Sequence, residues 1–237
     1  MPIDSNRKSD YIDQRISRPT YLSSKDIGLY WTQKMREQAM FSARTSVKEY
    51  LDSVKEILHN YTTGVDTVKE GPFEGEPISM GKGRARVQMY EKLMDLGLVG
   101  PADGDSQRID DLASSIRLNL IIDTNNQIAH SIDQLETASD PIQKILNPCW
   151  ELVRDEHRMN PRNWADRWYK AAMLVAYDGV AKNTDRMIAK KDSPIWQELG
   201  NAEDGLGNPY PPFAFGSGMG WEIVTQKEID ELGLEFG

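Results

Sequence analysis

Cysteine is almost missing from this sequence: Cys149 is the only one in 237 residues. A single thiol excludes an intrachain disulfide and a zinc site built on several cysteines, and it fits a reducing compartment. Basic charge is also scarce, with 28 Lys and Arg against 37 Asp and Glu and a net charge of −9. That balance argues against broad, non-specific nucleic-acid binding by the whole surface. No apolar run approaches ~18 residues, so no membrane span is expected. The opening MPIDSNRKSDYIDQR has no apolar core of the kind a signal peptide needs. No fixed-period repeat is present.

The motifs of common catalysis are lacking too. His59, His130 and His157 are far apart, and none sits in an H-x-x-x-H or H-E-x-x-H pattern. There is no nucleophile elbow, Walker motif or dinucleotide fingerprint. The GKG at 81–83 lacks the earlier glycine and the following Ser or Thr of a phosphate loop. The DGD beginning at Asp103 fails as a calcium loop, because its twelfth position is Ser114 rather than glutamate. Cys149 has no activating neighbour and reads as a buried, inert thiol. Asp155, Glu156 and His157 are adjacent, so their side chains point to different sides and do not converge on a metal. The expectation is a chain that is not an enzyme, with no cofactor and no metal.

What the sequence does have is concentrated in DSPIWQELGNAEDGLGNPYPPFAFGSGMGW, from Asp192 to Trp221. Ser193 and Pro194 mark a helix start, Ile195, Trp196 and Leu199 follow at helical spacing, and Gly200 ends it. Then Pro209, Pro211 and Pro212 remove backbone donors, while Gly216, Gly218 and Gly220 permit positive φ. Tyr210, Phe213, Phe215 and Trp221 are threaded between them. A flexible linker would not carry so many aromatics. The stretch reads as a structural aromatic loop closing a small core, or as a loop that grips a partner.

Elsewhere the pattern is helical. Residues 1–22 read as a polar N-terminal arm, disordered or draped over a neighbour. Ser23 to Asp26 matches a capping box, and the apolar stripe through Ala39, Ala43, Val47, Tyr50, Val54 and Ile57 predicts one long helix to about Tyr61. A shorter helix around Val87–Met94 stops at Gly97. Ser106 reads as the cap of a further helix, in which Asp123, Thr124, Asn125 and Asn126 form an exposed polar face or a polar site facing another chain. Asp140-Pro141 starts another helix. Residues 149–154 read as a strand. Asn160-Pro161 caps the helix carrying Trp164 and Trp168, Trp221–Thr225 reads as a strand, and Thr225 with Glu228 reads as a capping box before a last helix ending at Gly233. The expected fold class is mostly α, of α+β type. It comprises a helical domain over 23–147 and a small α+β domain over 148–237 with short strands around the aromatic loop.

Charge is segregated along the C-terminal part. Residues 151–191 hold nine basic against six acidic residues, and 192–237 hold one basic against nine acidic. The basic belt, Arg154, Arg158, Arg162, Arg167 and Lys170, either pairs with the acidic tail or faces phosphate or an acidic partner.

PCWELVRDEHRMNPRNWADRW, RMIAKKDSPIW and PYPPFAFGSGMGW followed by a capped helix resemble the C-terminal part of tailed-phage minor head proteins, the head-morphogenesis family of the Mu type. REQAMFSARTSVKEYL and RLNLIIDTNNQIAH resemble that family's helical part. The likeness covers about residues 25–235, and its C-terminal motifs are the specific ones. It implies a virion protein, made in the host cytoplasm, that binds portal or capsid subunits and supports head assembly and DNA packaging or delivery. It implies an oligomeric state in the particle and no membrane. The alternative is a head–tail connector ring beneath the portal that contacts packaged DNA through the basic belt; a third is a host-directed enzyme carried in the capsid. Many members end in a cysteine- and histidine-containing segment that suggests a bound metal, and this chain departs from that pattern.

Overall fold

The computed structural model describes residues 5–100, 108–157, 160–176 and 184–236. About half of the chain is helical, with small sheets of two or three strands, so the protein is mostly α with an α+β C-terminal part. It divides into two compact units, Met1–His130 and Ser131–Gly237. The boundary falls inside helix α6 (Ser115–Ala138) rather than at the expected 147/148.

The first unit is built around α4 (Lys48–Thr63). Tyr50, Leu51, Val54, Ile57 and Leu58 recur at helical spacing and are all buried. Gly64 closes the helix in the left-handed region at φ 75°. Against this stripe pack Ile12 of α1 (Ser5–Gln14), Met89 and Leu93 of α5 (Lys82–Asp95), and Leu118 and Ile122 of α6. The expected N-terminal arm is therefore part of the unit: α1 is followed by β1 (Ile16–Ser17), which pairs in parallel with β2 (Ala39–Met40).

The single long helix expected over 23–61 is broken. Its first part is α2 (Ser24–Tyr30), with the Ser23–Asp26 capping box intact, and α3 (Gln33–Gln38), capped by Thr32. Between them Trp31 is extended, and beyond β2 Arg44 turns with φ 57°. The partners that hold this path lie far away in sequence. Buried Arg15 donates to the Ala39 carbonyl, and buried Arg117 donates to the Ala43 carbonyl and to Ser42 Oγ at 2.9 Å. Two long-range guanidinium contacts thus hold the chain where the helix is broken. A second polar hub is Asp66 in β3 (Val65–Thr67), which pairs with β4 (Pro77–Ser79). The buried Asp66 carboxylate accepts from Asn60 (3.0 Å), the Thr67 amide (2.8 Å), Arg84 (3.1 Å) and Gln88 (2.6 Å). This hairpin lies between the helices expected to end near Tyr61 and to run around Val87–Met94, where no strand is expected. The DGD turn and the Ser106 cap lie outside the described residues; α6 begins at Ser115, with the Ser114 hydroxyl accepting from the Arg117 amide at 3.2 Å. Its polar middle is not an exposed face, since Thr124 and Asn125 are buried and Asn125 accepts from Arg15.

In the second unit, α7 (Pro141–Leu146) is capped by Asp140 as expected. A three-stranded antiparallel sheet follows, ordered β6-β5-β7, from β5 (Cys149–Arg154), β6 (Ile188–Lys190) and β7 (Met219–Val224). Helix α8 (Trp164–Leu174) takes Asn163 as its cap, three residues beyond the expected Asn160. Helices α9 (Ile195–Gly200) and α10 (Gln226–Leu232) complete the unit. At α10 only half of the expected box forms. Thr225 accepts from the Glu228 amide, while the Glu228 carboxylate goes to Arg186 at 2.8 Å.

Candidate interaction site

The residues singled out in the sequence meet on one face of the β6-β5-β7 sheet. Register places Trp150 opposite Ile223 and Leu152 opposite Trp221. Trp150 and Trp221 are thus diagonal neighbours on one face, within reach of aromatic side chains, and they stack at 5.1 Å with planes 3° apart. Trp196 of α9 meets Trp221 edge-on at 5.4 Å and donates its Nε1 to the Lys190 carbonyl at 2.8 Å. Phe213, fully buried, lies 6.1 Å from Trp221 and 6.3 Å from both Trp164 and Trp196. Trp168 packs edge-on against Trp196 at 5.5 Å. Such pairs contribute about 0.5–1.5 kcal/mol each beyond their buried area.

The loop around Phe213 folds on itself. Leu206 donates to the Phe213 carbonyl and Gly207 to the Gly200 carbonyl, both at 2.9 Å. The buried Asn208 side chain donates to the Tyr210 carbonyl at 2.9 Å. Backbone approaches backbone so closely that a Cβ on Gly200 would strike the Asn208 carbonyl, and one on Gly205 the Gly200 carbonyl. Tyr210, Phe213 and Trp221 are buried as the structural reading expects, whereas Phe215 is 36% exposed. Gly218 holds φ 64°, in the region that favours glycine. Gly220 does not. It is required for space, because a side chain there would meet the Asp155 carboxylate.

The basic belt divides. Arg162 donates to Asp204 at 2.6 Å and to the Phe215 carbonyl at 3.0 Å. Arg167 donates to the other Asp204 oxygen at 2.7 Å and twice to the Leu199 carbonyl, at 2.7 and 3.1 Å, with its guanidinium 4.7 Å from the Trp164 ring. Lys170 pairs with Asp166 one turn back, at 2.8 Å. Arg154 is exposed, and Arg158 lies outside the described residues. Burial alone would raise the Asp204 carboxyl, but Arg167 and Arg162 outweigh it and hold the group below its usual value. Asp204 is the residue that sequence reasoning missed. It sits in NAEDGLG beside Glu203 with no signal to distinguish the two acids.

No family model, no curated protein and no solved structure matches the chain.

On the opposite sheet face Cys149 is buried with Ile188, Val224 and Ile229, and burial pushes its thiol up to about 12. It is a packing residue and a poor nucleophile. Arg186 fastens this face, gripping Glu151 with two nitrogens and Glu228 with a third. His157 is exposed, and His59 pairs with Asp13 at 2.9 Å. What the arrangement can do is hold a rigid shape. Aromatic rings fill one face, arginines lock the loop over them, and an ion pair ties the last helix down.

Proposed function

We propose that this chain is a minor head protein of a tailed-phage particle, docking on portal or capsid subunits during head assembly. The observation that carries the reading is how the segments with the specific likeness behave. The strand at 149–154, the stretch from 186 to 196 and the loop at 209–221 meet in one aromatic-centred unit. Their distinctive residues thus have a common structural purpose, a rigid platform. The same unit offers a surface for a macromolecular partner: on α7, Ile142, Ile145 and Leu146 are 64%, 72% and 54% exposed. Contiguous apolar side chains left in water mark interaction sites more often than chance exposure does.

The geometry favours docking over a DNA-contacting connector ring. Arg162 and Arg167, central to the belt, are held by Asp204 and by backbone carbonyls, which leaves them little capacity for phosphate. The test is co-expression with the portal and major capsid proteins of the same genome, followed by purification and imaging of the particles. The chain is expected at low copy beside the portal. Its absence from particles overturns the proposal, and a closed twelve-fold ring of this chain beneath the portal replaces it with the connector reading.

A further inference from the structure

The second unit contains a cleft of about 580 Å³ that the aromatic platform does not fill. It opens at the start of β5, between the end of α6, α7, α10 and the turn after β6. Leu135, Trp150, Ile229 and Phe236 give it an apolar floor. Three lysines stand on its rim: Lys144 from α7, Lys190 from the end of β6, and Lys191 from the turn.

The lysines are the unusual part. In a chain of net charge −9, no carboxylate forms an ion pair with any of the three among the described residues. Two of them rest on aromatic rings instead. Lys191 Nζ lies 4.1 Å from the centre of a Trp150 ring and Lys190 Nζ lies 5.8 Å from that of Phe236. Lys191 is half-buried, and burial pushes its ammonium down to about 8, so the charge is poorly solvated where it stands. Asp192 is the one acid in the lining. The volume lies within the range of pockets that enclose a compact ligand, about 300–1,000 Å³, which is room for a few large side chains.

We infer that this cleft receives a peptide segment of an assembly partner in which one or two large apolar side chains are flanked by carboxylates. The apolar residues would enter over Trp150 and Phe236, and the carboxylates would meet Lys144, Lys190 and Lys191. A nucleic acid would satisfy the lysines but leave the apolar floor empty. The inference rests on the proposed assembly function, because it is that reading which supplies a partner protein.

The experiment pans a randomised peptide library on the full chain and measures the enriched peptides by fluorescence anisotropy. Sequences that combine leucine, phenylalanine or tryptophan with glutamate or aspartate are expected. Lys144 and Lys190 are both exposed, so the double variant Lys144→Glu/Lys190→Glu should fold with an unchanged melting curve and bind those peptides at least about tenfold more weakly. Serine in place of a peptide's apolar residue should weaken binding to the same degree. Enrichment of no acidic–apolar class, equal binding by the double variant, or indifference to the serine change overturns the inference. The two proposals fail separately. A chain that binds such peptides through the lysines but is absent from particles loses the assembly role and keeps the cleft. One that enters particles but binds the peptides equally well without the lysines keeps the role and loses the cleft.

Discussion

The two units solve the problem of a small core in opposite ways. The first fills its centre mainly with aliphatic and methionine side chains, with Tyr50 the one fully buried ring, and then buries polar hubs beside them: Arg15, Arg117 and Asp66 are all less than 8% exposed. Each hub gathers partners from several elements. The second buries a single charged side chain to that degree among the described residues, Asp133. Its centre is a contiguous set of aromatic rings, and the indole nitrogens of Trp150, Trp164 and Trp221 find no hydrogen-bond partner among the described residues. Its charges sit at the edge, where Arg162, Arg167 and Arg186 act as fasteners. Hydrogen-bonded hubs specify a geometry, because misplacing one strands several partners at once. Ring contacts depend on area and tolerate small shifts. The first unit should therefore fail through single polar changes and the second through loss of volume.

Four substitutions put that contrast to the test. The largest effect should come from Phe213→Ala, which removes a fully buried ring touching Trp164, Trp196 and Trp221. Truncations of this kind cost about 3–5 kcal/mol, and urea unfolding followed by tryptophan emission would measure the loss. Next is Asp66→Ala in the first unit. It leaves four donors without their acceptor and should cost about 3 kcal/mol, read by far-UV circular dichroism. An effect below about 1 kcal/mol would mean that the hub is ornamental to stability. Gly218→Ala, at φ 64°, should cost about 1 kcal/mol or more. Phe215→Ala, only a few positions away but 36% exposed, should stay within about 0.5 kcal/mol. If Phe215→Ala cost as much as Phe213→Ala, the loop would be held by its surface rather than by its buried rings.

Acid gives a subtler comparison. Asp66 is held below its ordinary 3.8 against the opposing effect of burial, by hydrogen bonds from Gln88, the Thr67 amide and Arg84; Asp204 is held low by Arg167 and Arg162. A carboxyl whose folded value lies below its unfolded one contributes stability above the unfolded value, and loses it as pH falls through the folded one. Both units should therefore hold their melting points down to about pH 4 and then decline. The Asp66→Asn variant should flatten the decline for the first unit alone.

The parts legible in the sequence were those fixed by neighbours. The α4 stripe, the Asp140 cap, the strand at 149–154 and the buried rings of the proline-glycine loop follow from spacing, capping chemistry and turn residues within a few positions. What stayed hidden depends on distant partners. Where the expected helix breaks, the Ala39 and Ala43 carbonyls accept from arginines 24 and 74 positions away in sequence, and no local pattern records that. The pairing of Arg162 and Arg167 with Asp204 spans 42 and 37 positions. Segregated charge suggested such pairing without saying which acid takes part. Gly220 was legible as a special position, but its reason, the carboxylate of Asp155 against its face, belongs to the sheet.

The ring cluster also makes the protein its own optical instrument. Five of the six tryptophans fall in residues 131–237 and only Trp31 in the first unit. Intrinsic emission will therefore follow the opening of the aromatic unit almost alone, while helical ellipticity is weighted towards the first. Recording both signals on one unlabelled sample, through heat, urea or the approach of a partner, will tell which unit gives way first.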